Sequence, residues 1–122
     1  MASPKRKLAE KTGKRAEAIA RLWLRLKGSR ILNYRFKTKV GEIDIIAKKG
    51  RTIAIIEVKA RQTKIAALQS ITFKQRQRIE RTTELWLKRT GFGNTRSLRF
   101  DIIAIVPKHF PIHIKQAWQS GE

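Results

Sequence analysis

The chain has 122 residues, 41% of them hydrophobic, so it is long enough to fold as one domain around a single core. Its 29 lysines and arginines outnumber 9 aspartates and glutamates, and the resulting net charge of +20 indicates a polyanionic partner, most simply nucleic acid. Cysteine is absent, which excludes thiol catalysis, disulfides and cysteine-based zinc sites.

Membrane and secretory segments are not expected. No apolar run approaches the roughly 18 residues that span a bilayer, and no helical pattern sets a lipid-facing side against a basic side. The basic N-terminus is not followed by the apolar region of a secretory signal. We therefore expect a cytoplasmic protein with no membrane partner.

The N-terminal part predicts a basic arm and then a helix. Residues 1–12 read as a solvated tail or as a phosphate-contacting arm, ahead of a folded domain at 13–116 and a C-terminal tail at 117–122. Apolar residues recur at helical spacing from about Gly13 to Lys27.

Glu17 falls at the edge of the apolar stripe of this helix. It either pairs on the helix surface with Lys14 or Arg21, three residues before and four after it, or points across the sheet toward Asp44. The pattern leaves both alternatives open.

Three strands follow in an antiparallel meander. The first is predicted at Ile31–Phe36, and residues 42–59 read as two strongly apolar strands joined by a tight turn at 48–51 that contains a glycine. Asp44 and Glu57 are embedded in these apolar arms. Because an unpaired carboxylate in a buried strand is costly, something should compensate each charge.

The spacing of the two arms brings the carboxylates together. With an even-numbered turn, even positions of the first arm lie opposite odd positions of the second. Asp44 then faces Ile55 or Glu57, and the two carboxylates are direct or diagonal neighbours with Lys59 on the same face. This arrangement indicates a site for a divalent cation such as Mg²⁺, with a cross-strand ion pair as the alternative.

The second half predicts a helix and a parallel strand. Residues 60–71 have no clear period and form a loop or a short helical turn, and 72–90 read as a helix with Gln75 facing inward. The strand at 98–106 should run parallel to a neighbour, because a helix separates it from the meander. A short edge strand is expected at 112–114.

Three other polar residues have less informative positions. Asp101 lies in the last main strand, where a salt bridge with Arg99 or another basic residue is favoured over a place in the acid cluster. His109 and His113 have a spacing found in zinc sites, but the proline-containing, extended segment around them makes this a weak signal.

Basic residues near the acid cluster are the expected contacts of a nucleic acid. Some border the strands and others lie on the second main helix. They are Arg35, Lys37, Arg61, Lys64, Lys74, Arg76 and Arg78.

These motifs resemble the YraN-like family of small bacterial proteins, which is placed in the PD-(D/E)XK nuclease superfamily and is similar to Holliday-junction resolvases. The resemblance covers about residues 13–106. It rests on Glu17 in the first helix, GEIDIIA at 41–47, IIEVKAR at 55–61, Lys74-Gln75 and RFDIIAI at 99–105.

The resemblance implies a fold and a set of roles. The fold is an α/β restriction-endonuclease-like core of order α-β-β-β-α-β, with a mixed sheet flanked by helices. Asp44 and Glu57 resemble metal ligands, with the Val58 carbonyl a further ligand, and Glu17 resembles a supporting acid. Lys59 resembles the lysine that orients water or stabilises phosphorane charge, and Gln75 resembles a polar residue that orients the site.

Two classes of function remain in competition. The first is a Mg²⁺-dependent endonuclease, with Mn²⁺ expected to substitute, acting on branched or structured DNA; a homodimer would fit the resemblance to resolvases. The second is a non-catalytic protein that keeps the fold and binds DNA or RNA. DNA is favoured over RNA.

Overall fold

In a computed structural model that describes residues 3–92 and 97–121, the chain forms a five-stranded mixed sheet flanked by helices. The elements are α1 (Pro4–Leu26), β1 (Arg30–Lys37), β2 (Glu42–Lys49), β3 (Thr52–Ala60), α2 (Lys64–Gln69), α3 (Phe73–Thr90), β4 (Ser97–Ile105) and β5 (Ile112–Trp118). The strands lie side by side in chain order, and only the β3–β4 pair is parallel.

This architecture confirms the predicted α/β, restriction-endonuclease-like core. The helix, the three-stranded meander, the second main helix and the parallel strand occur in the expected order. The segment without a clear period contains a single short helix, α2, and β5 adds an edge strand next to β4. No helix in the described ranges is both long and apolar enough to cross a membrane.

Helix α1 begins nine residues before the predicted start at Gly13. Ser3 caps it by accepting a hydrogen bond from Arg6 N, and Pro4 occupies its first turn, where the missing proline N–H carries no penalty. The predicted basic arm over 1–12 is therefore, from Pro4 onward, the first part of this helix. Gly13 did not mark a boundary because a single glycine is tolerated inside a helix.

The sheet packs a separate apolar cluster on each face. On one face Ile46, Ile53 and Ile55 contact Ile79 and Trp86 of α3. On the other, Ile45, Ala47 and Ile56 contact the small residues Ala16 and Ala20 of α1. The small side chains allow α1 to approach the sheet closely. The central strands β2 and β3 are thus covered on both sides.

The C-terminal boundary of the domain also lies beyond the predicted one. Strand β5 continues to Trp118, which is buried and stacks on Phe100 with ring centroids 5.3 Å apart. The prediction of a tail that begins at residue 117 is therefore wrong, because Trp118 belongs to the core. The edge strand predicted at 112–114 is confirmed but too short.

Candidate metal and nucleic-acid site

Strands β2 and β3 part at the residues that carry the acidic side chains. Lys48 pairs with Ile53, Ile46 with Ile55 and Ile45 with Ile56, where the ladder ends. The predicted parity of the hairpin is confirmed. Continuing this register by one residue places Asp44 opposite Glu57. The two carboxylates are therefore direct neighbours, not diagonal ones.

The two carboxylates replace the backbone ladder at this point. Asp44 N donates to Glu57 Oε2 at 3.2 Å, and Val58 N donates to Asp44 Oδ2 at 2.9 Å. Each strand therefore anchors the acid of the other. The second oxygen of each carboxylate makes no hydrogen bond to the part of the chain that the structure describes, and each of the two residues lines a cavity.

The cluster opens to both faces of the sheet. Glu57 lines a cavity of about 370 Å³ toward α3, whereas Asp44 lines one of about 470 Å³ beside α1, and Lys59 contributes to both. The prediction that Asp44, Glu57 and Lys59 share one face is therefore wrong in detail. Alternation breaks at Asp44, because Ile43 packs in the α3-side cluster and Ile45 in the α1-side cluster.

Burial disfavours the charged form of both acids. Burial raises the pKa of Asp44 to about 6; the hydrogen bond from Val58 N opposes this shift, and the charge of Glu17 adds to it. The pKa of Glu57 is raised well above its usual range, first by burial and then by the charge of Asp44. Lys59 lowers both pKa values. Neither acid forms a salt bridge with a described residue.

Glu17 has a partner that neither alternative included. Its Oε1 lies 3.3 Å from Nε of Arg35, which adopts a positive φ of 53° in β1. Glu17 also lines the same cavity as Asp44, and its charge raises the pKa of that residue. Arg35, predicted to contact nucleic acid, forms an ion pair with Glu17 in this structure.

Gln75 forms a helix cap. Its Oε1 accepts from Thr72 N at 2.9 Å, while Gln75 N donates to Thr72 Oγ1 at 3.1 Å. This complete capping box holds the exposed side chain at the rim of the cavity that Glu57 and Lys59 line. The prediction that Gln75 points inward is wrong, because the cap satisfies two backbone donors that the helix start leaves unpaired.

The basic residues predicted to contact nucleic acid fall into two groups. Lys37 and Arg78 line the Glu57 cavity, and Arg61 lines the Asp44 cavity. The others lie further out. Lys64 and Lys74 are exposed in the first turns of α2 and α3, and the guanidinium of Arg76 lies 5.7 Å from the ring centroid of Phe73.

The donor set fits a hard cation that retains water. Within 3–92 and 97–121, no three or more His, Asp or Glu side chains are grouped to hold a metal ion. The partly buried Asp44 and the buried Glu57 form no salt bridge with a described residue. They nevertheless suit Mg²⁺, which uses one or two carboxylates plus water and phosphate oxygens. The Val58 carbonyl and Glu17 are the remaining predicted oxygen donors nearby.

The histidines do not form a zinc site. His113 Nε2 lies 2.7 Å from Oδ2 of Asp101, and His109 is exposed in the turn before β5. Asp101 also accepts a two-pronged contact from Arg99, so the predicted salt bridge between these two residues is confirmed. The His113 contact was missed because it depends on the register of β5 against β4.

Gly41, which precedes the acidic strand, allows a close approach to α3. A Cβ at this position would lie 2.9 Å from Oγ1 of Thr82, a fully buried side chain that donates to Arg78 O at 2.8 Å. Gly41 O in turn accepts hydrogen bonds from Thr38 N and Oγ1. The small residue therefore fixes the loop that borders the Glu57 cavity.

We expect Gly41→Ala to destabilise the protein by about 1–3 kcal/mol, since the clash forces α3 or the loop to move. Chemical denaturation would measure the loss. Gly13→Ala is the matched control: no atom lies within 4 Å of its added Cβ, and it should be neutral or stabilising by up to about 1 kcal/mol in α1. Equal stability of the two variants would contradict the role of Gly41.

Comparison with known proteins finds extensive similarity along the chain. The sequence model of a family described as "Uncharacterised protein family UPF0102" matches residues 16–105. A UPF0102 protein of Chelativorans sp. (strain BNC1) is 43% identical, with 94% of this chain and 93% of the relative aligned.

Two further relatives are similar to the same extent. The UPF0102 protein Atu0303 of Agrobacterium fabrum is 47% identical over 95% of each chain. A UPF0102 protein of Bartonella tribocorum is 47% identical over 88% of this chain and 83% of its own length.

Proposed function

This chain belongs to the uncharacterised protein family UPF0102, and we propose that it is a metal-dependent endonuclease that hydrolyses phosphodiester bonds in branched or otherwise structured DNA. The resemblance to the YraN-like family is confirmed by this membership. The family descriptions name no activity, so the proposal rests on the site.

The observation that carries the proposal is the crossed pair Asp44 and Glu57. Each carboxylate is fixed by one hydrogen bond from the opposite strand and leaves its second oxygen unbonded within the described residues. Burial raises the pKa of both acids. A structural role alone would not require two acids at one strand separation, since an ordinary backbone ladder would satisfy the same donors without burying charge.

Asp44, Glu57 and the Val58 carbonyl would hold the cation, with Glu17 supporting it from α1. A bound Mg²⁺ would supply charge neutralisation at the phosphate and a lower pKa for a bound water. Lys59, which lines both cavities, would bind a non-bridging phosphate oxygen and stabilise the charge that develops there.

The surrounding basic side chains would bind the substrate backbone. Arg78 and Lys37 on the α3 side and Arg61 on the α1 side lie beside the acids on opposite faces of the sheet. With a formal net charge of +20, binding should weaken steeply as salt concentration rises, because each neutralised phosphate releases counterions. Contacts of this kind hold the backbone without reading base sequence.

The test combines cleavage with direct cation binding. Wild-type protein should cleave a four-way DNA junction in Mg²⁺ or Mn²⁺, and Asp44→Ala should abolish cleavage while leaving salt-sensitive DNA binding in place. Calorimetric titration with Mn²⁺ should detect binding to wild type and a clear loss in Glu57→Ala. Cleavage that persists in Asp44→Ala would refute this assignment of the site.

A non-catalytic nucleic-acid-binding protein is the second candidate. It is favoured by the lack of a third acidic ligand at the pair within the described residues, since Glu17 is held by Arg35. It predicts salt-sensitive binding to DNA or RNA with neither Mn²⁺ binding nor cleavage. Competition between DNA and RNA at matched salt then identifies the preferred nucleic acid.

A further inference from the structure

A second basic cavity lies at the other end of α1, on the α1 face of the sheet. Its volume is about 280 Å³, and its wall includes the ends of α1, β2, β4 and β5. It is separate from the acidic pair, which lies at the opposite end of the hairpin. The cationic side chains that line it are Lys27, Lys49, Arg99 and Lys115, and His113 lies beside them.

We propose that this cavity binds a phosphate group, either from a nucleic-acid backbone or from a small phosphate ester. If the phosphate belongs to a nucleic acid, the inference rests on the proposed function and adds a second anchoring point for the same substrate. If it belongs to a small ester, the inference stands independently of nuclease activity.

Arg99 is fixed in an orientation suited to an anion. Its Nε and Nη2 each donate to a different oxygen of Asp101 at 2.8 Å, and Asp101 is fully buried. Asp101 accepts two further contacts, from His113 Nε2 at 2.7 Å and from Gln116 N at 2.9 Å. This network holds both Arg99 and His113 at the cavity wall.

The guanidinium keeps donors for a ligand. Arg99 Nη1 makes no hydrogen bond to any described residue, and 26% of the side chain is exposed. A planar donor that is already oriented loses less conformational entropy on binding an anion than a free surface lysine does. The four contacts to the buried Asp101 hold Arg99 in this position.

The charge balance of the cavity also favours an anion. Helix α1 ends here and contributes partial negative charge from its last carbonyls. Lys49 Nζ donates to Lys27 O at 2.7 Å and offsets this charge. Lys115 is exposed and has no hydrogen bond within the described ranges, so its ammonium is available to a ligand together with Arg99 Nη1.

The same cavity is poorly suited to recognising a base. Trp23 is its aromatic lining residue, but Phe110 stacks on the indole with centroids 5.7 Å apart, and Lys27 Nζ lies over the ring at 4.7 Å. An incoming base would have to displace these contacts. The ligand chemistry that fits is therefore the phosphate alone.

The position of the cavity is compatible with a strand that also reaches the acidic pair. Glu17 and Lys27 are ten residues apart in α1 and its cap, which corresponds to about 15 Å along the helix axis. At about 3.4 Å of axial rise per nucleotide of a duplex strand, this span is roughly four nucleotides. The two sites could thus contact one strand without competing for the same phosphate.

Lys115→Glu is the test variant, because this exposed residue lies outside the buried Asp101 network. Inorganic phosphate, titrated at low ionic strength while backbone and indole NMR shifts are followed, should give saturable shifts at Trp23, Arg99 and Lys115. Lys115→Glu should weaken this binding about fivefold or more. The control Lys88→Glu makes the same charge change in α3, across the sheet, and should bind like wild type.

The source of the phosphate is decided by two further ligands. For a nucleic-acid phosphate, Lys115→Glu should lose more affinity for a DNA oligonucleotide than Lys88→Glu, and a nucleoside monophosphate should bind no tighter than inorganic phosphate. For a small ester, the monophosphate should bind tighter than phosphate, and the two variants should bind DNA equally.

The proposal is overturned if phosphate gives no saturable shifts, if the shifts spread over the whole basic surface, or if Lys88→Glu weakens binding as much as Lys115→Glu. Glu57→Gln should retain the phosphate site unchanged. Phosphate binding in a protein that shows no cleavage would contradict the nuclease alone, and cleavage without phosphate binding would contradict this inference alone.

Discussion

Glu57→Gln should abolish metal-dependent cleavage and, in the same protein, raise the melting temperature of the metal-free form. Gln retains a side-chain oxygen that can accept the hydrogen bond from Asp44 N, so the strand separation keeps its geometry. It removes the charge that a cation needs. We expect the loss of cleavage to exceed the ~10–100-fold that loss of an outer-shell partner of a metal typically causes.

The gain in stability follows from the direction of the pKa shift. Burial and the neighbouring Asp44 raise the pKa of Glu57, so the folded state binds its proton more tightly than the unfolded state does. The ionised acid therefore destabilises the fold above its folded pKa, and this penalty disappears below the unfolded value. The stability difference between Glu57→Gln and wild type should grow as pH rises above the unfolded value and vanish near pH 4.

Asp44→Asn should also stabilise the metal-free protein, and the pH range of this effect can be stated. Because burial raises the pKa of Asp44 from 3.8 to about 6, its advantage over wild type should fade as pH falls through this interval. At about 1.4 kcal/mol per pKa unit, the gain in unfolding free energy at neutral pH is on the order of 3 kcal/mol. Unfolding free energies measured at several pH values would test it.

Glu84→Gln is the matched control for both variants. Glu84 is exposed in α3, so the same change of charge should alter stability by no more than about 0.5 kcal/mol. Mn²⁺ should raise the melting temperature of wild type and leave Glu57→Gln nearly unaffected, since only a cation bound by the folded state stabilises it. If Glu57→Gln were less stable than wild type without metal, this would contradict the interpretation that Glu57 carries an uncompensated charge.

The sequence predicts those features of this site that depend on the short repeat of side-chain directions along a strand. The parity of the hairpin follows from a two-residue repeat and an even turn, and the observed Ile45–Ile56 pair selects Glu57 from the two predicted partners of Asp44. The parallel β3–β4 pair follows from the intervening helix. Both depend only on local pattern and chain connectivity.

Other features depend on where the backbone departs from regular geometry. The ladder stops at Ile45, and this end point, which the two-residue repeat does not encode, turns Asp44 toward α1 while Glu57 faces α3. Arg35 reaches Glu17 from a residue with positive φ in β1. Such contacts join residues far apart in the chain through irregular positions, so neither hydrophobic periodicity nor spacing could indicate them.

Strand β5 illustrates the same limit at the second cavity. Its register against β4 shifts between Phe100 and Ile102, next to Asp101, and Gln116 has a positive φ of 52°. This irregularity brings Gln116 N within 2.9 Å of Asp101 Oδ1. A regular edge strand predicted from alternation would not have assigned His113 and Gln116 to one carboxylate.

Asp101→Ala should be among the most destabilising single substitutions in the chain, with a loss of about 3–5 kcal/mol. The aspartate is fully buried and accepts hydrogen bonds from Arg99, His113 and Gln116 N. Removing it leaves a guanidinium and a backbone N–H without their acceptor. Glu80→Ala is the control, since its exposed contacts to Ser120 and Gly121 should contribute no more than about 1 kcal/mol.

The pH dependence of Asp101→Ala should have the opposite sign to that of the metal-site variants. Burial alone would raise the pKa of Asp101, but hydrogen bonds from His113, Arg99 and Gln116 N together lower it. Its stabilising contribution is therefore fully present above the unfolded value near pH 4 and is lost as pH falls through the lower folded pKa. The deficit of Asp101→Ala relative to wild type should accordingly persist at neutral pH and narrow only in strong acid. A deficit below about 1 kcal/mol at pH 7 would show that the network does not hold β4 and β5 together, and would remove the support for Arg99 as a pre-oriented phosphate donor.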